Sequence, residues 1–305
     1  MSKVGWLRIS LSFANLQHSV SFNTSLNAAD NEMELIVFDL DGTLLNRDSQ
    51  ISEFTRETLR LLAQRGIAYT VATGRALHGA QDILAGHNFT LPQIFKNGAM
   101  IWLPERETYT RKYVLSEREI ERVLAAFLAQ EVAPFIYTVE QDNRHAVYHL
   151  PLGSDVEKEW LDELKGRGLS TALLSELPDR AEITNISALG PRSAIEAVRD
   201  LVDTQEDHLV AYMGAGASTT DTCWLDIHHS EGSKGGAVAQ LKRDLGVKRV
   251  VCFGDSDNDL SMFATADEAY APENAKDDVK RAATAVIGHH DEDGIARFLR
   301  QRFEL

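Results

Sequence analysis

Short apolar runs alternating with helix-patterned segments restrict this chain to few architectures. Leu35-Ile36-Val37-Phe38 is an unbroken hydrophobic run of the kind that a parallel sheet buries on both faces, and Val250-Val251-Cys252-Phe253 repeats it far downstream. Between them, residues 52–65 carry Phe54, Leu59, Leu61 and Leu62 at helical spacing, and Gly66 is placed to stop the helix. A second strand is predicted over 67–71. A helix over 259–266 and short apolar strands over 269–271 and 285–287 follow the downstream run. This alternation predicts an α/β fold built on a doubly wound parallel sheet, beginning at about Met33.

The middle of the chain follows another rule. Ser116 with Glu119 forms a capping box ahead of Ile120, Val123, Leu124, Phe127 and Leu128, and Ser193 with Glu196 opens a second helix carrying Ile195, Val198, Leu201 and Val202. Strand-like runs over 132–139, 146–150, 183–189 and 223–227 surround them, as in an α+β unit. We read residues 105–228 as an inserted α+β domain that selects substrate, with 33–104 and 229–305 forming the core. The insertion holds 23 acidic and 12 basic residues, so it carries most of the chain's net charge of -15. A solvated acidic surface accounts for that excess.

Composition removes several classes. No stretch reaches the roughly 18 apolar residues of a membrane span, and no basic face offers itself to a nucleic-acid backbone. Cys223 and Cys252 lie far apart, each inside an apolar run, and read as two reduced, buried thiols. Residues 1–32 are rich in Ser and Asn and lack both helical and strand periodicity. They read as a disordered extension, since Arg8, Ser10, Ser12, Asn15, Gln17 and His18 interrupt any secretory apolar core. Reduced cysteines and the lack of such a signal point to the cytoplasm.

Ligands of open parallel sheets bind beyond the carboxyl ends of the strands. There, Asp39-Leu40-Asp41-Gly42-Thr43 places two carboxylates two residues apart before a glycine turn, suiting one to ligate a cation or attack an electrophile and the other to exchange a proton. Thr73-Gly74-Arg75 offers a hydroxyl, backbone N–H groups and a guanidinium to an anion, although a helix cap would use the same residues. Gly254-Asp255-Ser256-Asp257-Asn258-Asp259 suits oxygen ligation of Mg²⁺. An EF-hand loop is excluded because Leu260 and Ala266 stand where its glycine and glutamate belong. Lys234, flanked by Gly232 and Gly235, begins a helix over 237–245, where it reads either as a point charge for a phosphoryl group or as a solvated side chain. The pairs His228-His229 and His289-His290 have no further ligand at metal-binding spacing and read as solvated loop residues.

Asp39-x-Asp41-Gly42-Thr43, Thr73-Gly74-Arg75, Asn97-Gly98-Ala99, Lys234-Gly235 and Gly254-Asp255-x-x-Asn258-Asp259 together resemble the ordered motifs of the haloacid dehalogenase superfamily, specifically its Cof-like sugar-phosphate phosphatases. The resemblance covers the chain from Met33 onward. It implies a Rossmannoid core, a C2-type cap and Mg²⁺-dependent hydrolysis of small phosphate monoesters, with a small phosphorylated metabolite as partner. By resemblance Asp39 is the nucleophile, Asp41 the general acid and base, and Lys234 and Thr73 complete the catalytic set. Mg²⁺ would be held by Asp39, the Asp41 carbonyl and Asp255, supported by Asp259. Asn258, Arg75, Asn97 and the backbone near Leu40 and Gly74 would contact phosphate or substrate. The family's Gly-Asn-Ala turn is represented only by Asn274-Ala275.

Two other readings stand beside hydrolysis. A phosphomutase of the same superfamily would share the Asp39/Asp41 pair, but the few Arg and Lys residues of the insertion suit a bisphosphate poorly. A non-catalytic sugar-phosphate sensor would have no use for a paired nucleophile and acid. Asn185, Arg144 and Tyr148 are the candidate cap contacts.

Overall fold

A computed structural model describes residues 34–140, 144–166, 168–179, 181–205, 208–216 and 221–305. The extension expected over 1–32 lies outside them. In chain order the strands are β1 (Glu34–Phe38), β2 (Ala68–Val71), β3 (Gln93–Phe95), β4 (Met100–Leu103), β5 (Thr108–Lys112), β6 (Phe135–Val139) and β7 (His145–His149). They continue with β8 (Ser170–Leu173), β9 (Glu182–Pro191), β10 (Leu209–Ala215), β11 (Thr222–His229), β12 (Arg249–Phe253), β13 (Glu268–Pro272) and β14 (Ala285–Ile287). The described residues divide into two compact units, one over 114–228 and the other comprising 34–113 and 229–305. The division falls at Val114, not at residue 105, because β5 pairs with β4 as the last strand of a small antiparallel sheet in the first part of the chain.

The core unit holds the all-parallel sheet β14-β13-β12-β1-β2. Its central strands are buried on both faces. Leu35 to Phe38 and Val250 to Phe253 are fully excluded from solvent, which explains their unbroken apolar sequence. Around these strands Leu35, Val37, Val250 and Cys252 pack with Ala237, Val238 and Leu241 of the helix Lys234–Leu245. On the sheet's far edge, the parallel bridge between Ala72 and Ile94 brings the start of the β3-β4-β5 sheet beside the end of β2. The helix expected over 52–65 is Glu53–Gln64, capped by Ser52 Oγ accepting from Thr55 N–H at 3.0 Å.

The second unit carries the six-stranded sheet β10-β11-β9-β6-β7-β8. Helix Glu117–Ala129 starts on the expected capping box of Ser116 and Glu119. The next apolar helix begins at Arg192, one residue before Ser193, because β9 runs directly into it and the Arg192 N–H is taken by the Asp221 carbonyl. These two helices cover one sheet face through Val123, Phe127, Ile195 and Val198 against Ile186, Leu225 and Ile227. Helix Asp155–Gly166 covers part of the opposite face, packing Leu164 and Trp160 on Phe135, Tyr137 and Val147. Among the described residues no helix is long and apolar enough to cross a membrane.

At the amino ends of the core strands an ion network ties the last helix, Gly294–Phe303, to the sheet. Arg302 donates to Glu268 at 2.5 Å and to Glu34 at 3.0 Å, while Arg249 pairs with Glu268 from the neighbouring strand. The hydrogen bonds from Arg302 hold the Glu268 carboxyl down at about 2. A carboxylate depressed on folding stabilises above its unfolded pKa, and that stabilisation is lost as pH falls from there toward the folded value. Glu268→Gln is therefore expected to destabilise by about 1 kcal/mol at neutral pH. In urea melts the gap between variant and wild type should be narrower at about pH 3 than at about pH 7.

Candidate active site

The site is built where β1, β2 and β12 end. Phe38 and Phe253 are register partners, and the Asp39 N–H donates to the Phe253 carbonyl at 2.9 Å, which carries the pairing one residue past the strand. The adjacency of β1 and β12 thus brings Asp39 and Asp255 to one edge. Beyond Asp39 the chain turns through Gly42, whose φ of +72° is left-handed, and a Cβ there would stand 2.6 Å from Asp255 Oδ2. Thr43 Oγ1 donates to Asp255 Oδ1 at 3.1 Å, and the Asn274 amide donates to the Gly42 carbonyl at 2.7 Å. The turn is therefore held from both sides.

Lys234 is the first residue of its helix, whose cap is Ser233 Oγ accepting from Gly236 N–H at 3.1 Å. The helix start lies so close to the next segment that a Cβ on Gly235 would stand 2.1 Å from the Ser261 carbonyl oxygen. Lys234 is not solvated, as its setting between glycines allowed. It is fully buried, and its Nζ donates at 2.6 Å to both Asp39 Oδ1 and Asp259 Oδ1. Asp259 in turn accepts from the Asp255 and Ser256 N–H groups through Oδ2, at 2.9 and 3.0 Å.

Asp39, Asp255 and Asp259 each offer an oxygen, and the three atoms lie within 4.8 Å of one another. Burial drives the Asp39 carboxyl well above its ordinary pKa, with Lys234 opposing that shift. Burial, then the charge of Asp259, also raises Asp255. For Lys234 burial acts to discharge the ammonium, but Asp259 and Asp39 outweigh it and hold the pKa above the usual lysine value. Three acids thus share one resident ammonium. The all-oxygen donors and the excess of negative charge fit a hard divalent cation.

Asp41 has a different environment. Its carboxylate is about half exposed and is gripped by Arg75, with Nε on Oδ2 at 2.7 Å and Nη2 on Oδ1 at 2.5 Å. Arg75, expected beside the substrate, is thus engaged with Asp41 and with the Gly79 carbonyl. Thr73 is buried, and its Oγ1 accepts from the Arg75 N–H at 3.1 Å. Asn97, in a left-handed conformation at φ 56°, donates its N–H to the Thr73 carbonyl and accepts at Oδ1 from Asn258 Nδ2 at 2.8 Å. The structure therefore brings the residues of the four strand-end motifs, together with Asn97, to one place. Leu40 is buried in the turn after Asp39, and Gly74 lies against Asn97.

Two of the histidines that the sequence placed in solvated loops stand elsewhere. His290 donates its N–H to Asn274 Oδ1 at 3.2 Å, and its ring Nδ1 lies 2.7 Å from the Leu45 carbonyl, so it is not a free loop histidine. His228 is fully buried at the end of β11. Asp257, by contrast, points outward and pairs with Lys276.

A family model of haloacid dehalogenase-like hydrolases matches residues 36–299. The chain belongs to that family. The 5-amino-6-(5-phospho-D-ribitylamino)uracil phosphatase YwtE of Bacillus subtilis is 29% identical over 293 residues, spanning 88% of this chain and 98% of its own length. Phosphatase YwpJ of the same organism is 29% identical over 292 residues, spanning 88% and 99%. Among solved structures, the subclass IIB sugar phosphatase BT4131 superposes with a TM-score of 0.68 at 25% identity, covering 89% of this chain and 99% of its own. This haloacid dehalogenase-like hydrolase is a phosphatase, a phosphoric monoester hydrolase.

Lys234→Met removes the one ammonium from the buried acids of this hydrolase. Breaking such a pair from one side costs about 3–5 kcal/mol. Because the stranded carboxylates then have folded pKa values above their unfolded ones, stability falls as pH rises, and the deficit against wild type should grow from about pH 5 to about pH 7. Urea denaturation in a metal chelator at both pH values reads it directly.

Proposed function

We propose that this phosphatase hydrolyses phosphate monoesters of small sugars or polyols, using Asp39 as nucleophile, Asp41 as acid and base, and Mg²⁺ as cofactor. The observation that carries the reading is the contrast between the two carboxylates. Asp39 is buried against Lys234, whereas Asp41, two residues on, is half exposed and held by Arg75. A buried carboxylate beside an ammonium suits attack within a closed charge cluster, and an accessible one suits proton exchange with a leaving alcohol and then with water.

In the first step an Asp39 oxygen bonds to phosphorus and the ester P–O bond breaks. Asp41 gives its proton to the departing oxygen, leaving an aspartyl phosphate. In the second step Asp41 takes a proton from water, the water oxygen bonds to phosphorus, and Asp39 leaves as carboxylate with inorganic phosphate. A dianionic phosphate approaching a carboxylate meets like charge, so Lys234 and the donors near it neutralise the transferring oxygens. Thr73 Oγ1, the Asn258 amide and backbone N–H groups near Leu40 and Gly74 are the further donors on this reading. The Asp39 and Asp255 carboxylates and the Asp41 main-chain carbonyl would hold Mg²⁺, which when bound supplies Lewis-acid neutralisation of phosphoryl oxygens. Asp259 supports them without direct ligation, since Lys234 occupies Oδ1 and two backbone N–H groups occupy Oδ2.

Two facts support a sugar or polyol as the alcohol. The second unit is strongly acidic and so disfavours a second anionic group on the substrate. The relatives named for a phosphoribityl compound and for sugars share a phosphate ester on a polyhydroxylated carbon chain. The test is phosphate release from p-nitrophenyl phosphate and a panel of sugar and polyol phosphates, with Mg²⁺ and with chelator. Asp39→Asn is expected to remove activity on every substrate, and Asp41→Asn to lower kcat by about 10²–10⁴. Turnover that persists in chelator or in Asp39→Asn would overturn the reading.

A further inference from the structure

The turn that carries Asp41 cannot hold its own shape. Leu40–Leu44 is a single turn closed by two backbone hydrogen bonds, from Leu44 N–H to the Asp39 carbonyl at 3.3 Å and from Leu45 N–H to the Leu40 carbonyl at 2.9 Å. One turn gains too few such bonds to offset the cost of ordering its residues. Its path is also broken at the residues that matter, since Asp41 is extended (φ -72°, ψ 127°) and Gly42 left-handed (φ 72°, ψ 1°). Glycine has the widest backbone freedom of any residue, so rotation at Gly42 meets no local resistance and would re-aim Asp41. Arg75 grips the Asp41 carboxylate, not the backbone that carries it.

A segment near the far end of the chain supplies the hold. The Gly42 carbonyl accepts from Asn274 Nδ2 at 2.7 Å, Asn274 Oδ1 accepts from the His290 N–H at 3.2 Å, and the His290 ring Nδ1 lies 2.7 Å from the Leu45 carbonyl. A carbonyl only accepts, so Nδ1 carries the proton there. One connected set of bonds thus ties the turn at the Gly42 and Leu45 carbonyls. His290 is fixed in turn by its own segment. The Glu292 and Gly294 N–H groups both donate to the His289 carbonyl, at 3.0 and 3.1 Å, and a Cβ on Gly294 would stand 1.9 Å from the Gly288 carbonyl oxygen, so the strap closes tightly on itself. Asp293 Oδ1 then accepts from Thr55 Oγ1 at 3.2 Å and from Ser52 Oγ, the cap of helix Glu53–Gln64, while Asp291 accepts from the Arg47 N–H at 3.0 Å. The Arg47 guanidinium that also meets Asp291 is mostly exposed, and surface pairs of that kind contribute little. The hold on the turn therefore rests on half-buried Asn274 and His290.

We propose that His290 and Asn274 are positioning residues for Asp41, fixing through the Leu45 and Gly42 carbonyls the turn in which its carboxyl meets the leaving oxygen. This rests on the reading of Asp41 as acid and base given above. The turn's other support, Thr43 Oγ1 on Asp255, reaches the charge cluster. The side-chain bonds of Asn274 and His290 go to backbone groups of the turn and of each other, and to none of Asp39, Lys234, Asp255 or Asp259. Loosening the strap accordingly impairs proton delivery by Asp41 and leaves the attack of Asp39 intact.

The readout is kcat/KM for the sugar or polyol phosphate that the wild type cleaves best, divided by kcat/KM for p-nitrophenyl phosphate. An alkoxide needs a proton to leave and p-nitrophenolate does not, so the ratio follows the acid, whereas a loss of folded enzyme lowers both values alike. Asp41→Asn should lower the ratio about a hundredfold and His290→Ala about tenfold. His290→Asn, whose side-chain amide sets an N–H near the place of Nδ1, should recover most of that loss. Asn274→Ala, which frees the Gly42 carbonyl, should act in the same direction as His290→Ala and serves if that variant does not fold. In a chain already carrying Asp41→Asn, His290→Ala should lower the ratio no further, because the group it positions is gone. Equal losses on both esters in His290→Ala and Asn274→Ala, or a further fall in the Asp41→Asn background, would overturn the positioning role alone. A ratio unchanged in Asp41→Asn would overturn Asp41 as the acid, and the role of the strap with it.

Discussion

The buried ammonium of Lys234 between Asp39 and Asp259 is the constraint from which the catalytic unit can be reconstructed. Desolvating a charge is expensive, and only closely placed opposite charges and hydrogen bonds offset it. Each of the three residues must therefore arrive from a rigid element. Asp39 comes from the end of β1, Lys234 from the first turn of a capped helix, and Asp259 from the turn after β12. The close approach at Gly235 follows from the same demand, since a side chain there would push the helix off the Ser261 carbonyl and carry Lys234 with it. One lysine cannot neutralise Asp39, Asp255 and Asp259 together, and their oxygens are close enough to hold a further cation.

Parallel strands make such a cluster feasible. All carboxyl ends of β1, β2 and β12 lie on one edge, so short loops deliver acids, amides and hydroxyls there without long connections. The amino ends show the opposite chemistry, with Arg249, Arg302, Glu34 and Glu268 paired off against one another. Charges at that edge are mutually satisfied and serve stability, whereas those at the carboxyl edge remain unbalanced.

Much of this was legible in the chain because the relevant signals are local. Continuous apolar runs marked β1, β2 and β12, and the polar residues directly after them marked the site. Less visible were β8 and β10, which stand at the two edges of the second sheet. Ser170–Leu173 is short, exposed at both ends and half-buried between, and β10, although apolar in sequence, is partly exposed along most of its length. The β3-β4-β5 sheet escaped notice because β5, Thr-Tyr-Thr-Arg-Lys, is largely polar. Sequence spacing also could not show that Arg75 grips Asp41, 34 positions away, or that His228 is buried while its neighbour His229 is not. Such facts depend on strand register and on which face a residue takes, and a single residue's shift reverses the face.

The two units carry different kinds of unmet interaction. In the core unit the deficit is charge, with three carboxylates against one ammonium. Charge neutralisation acts on any phosphoryl group and distinguishes poorly between alcohols. In the second unit the deficit is directional, with the ring nitrogens of His228 and the hydroxyl of Ser187 lacking partners among the described residues. Buried polar groups are nearly always paired, and leaving one unpaired costs about 1–3 kcal/mol. Neutralising charge is therefore the demand of the core unit, and pairing buried polar atoms that of the second.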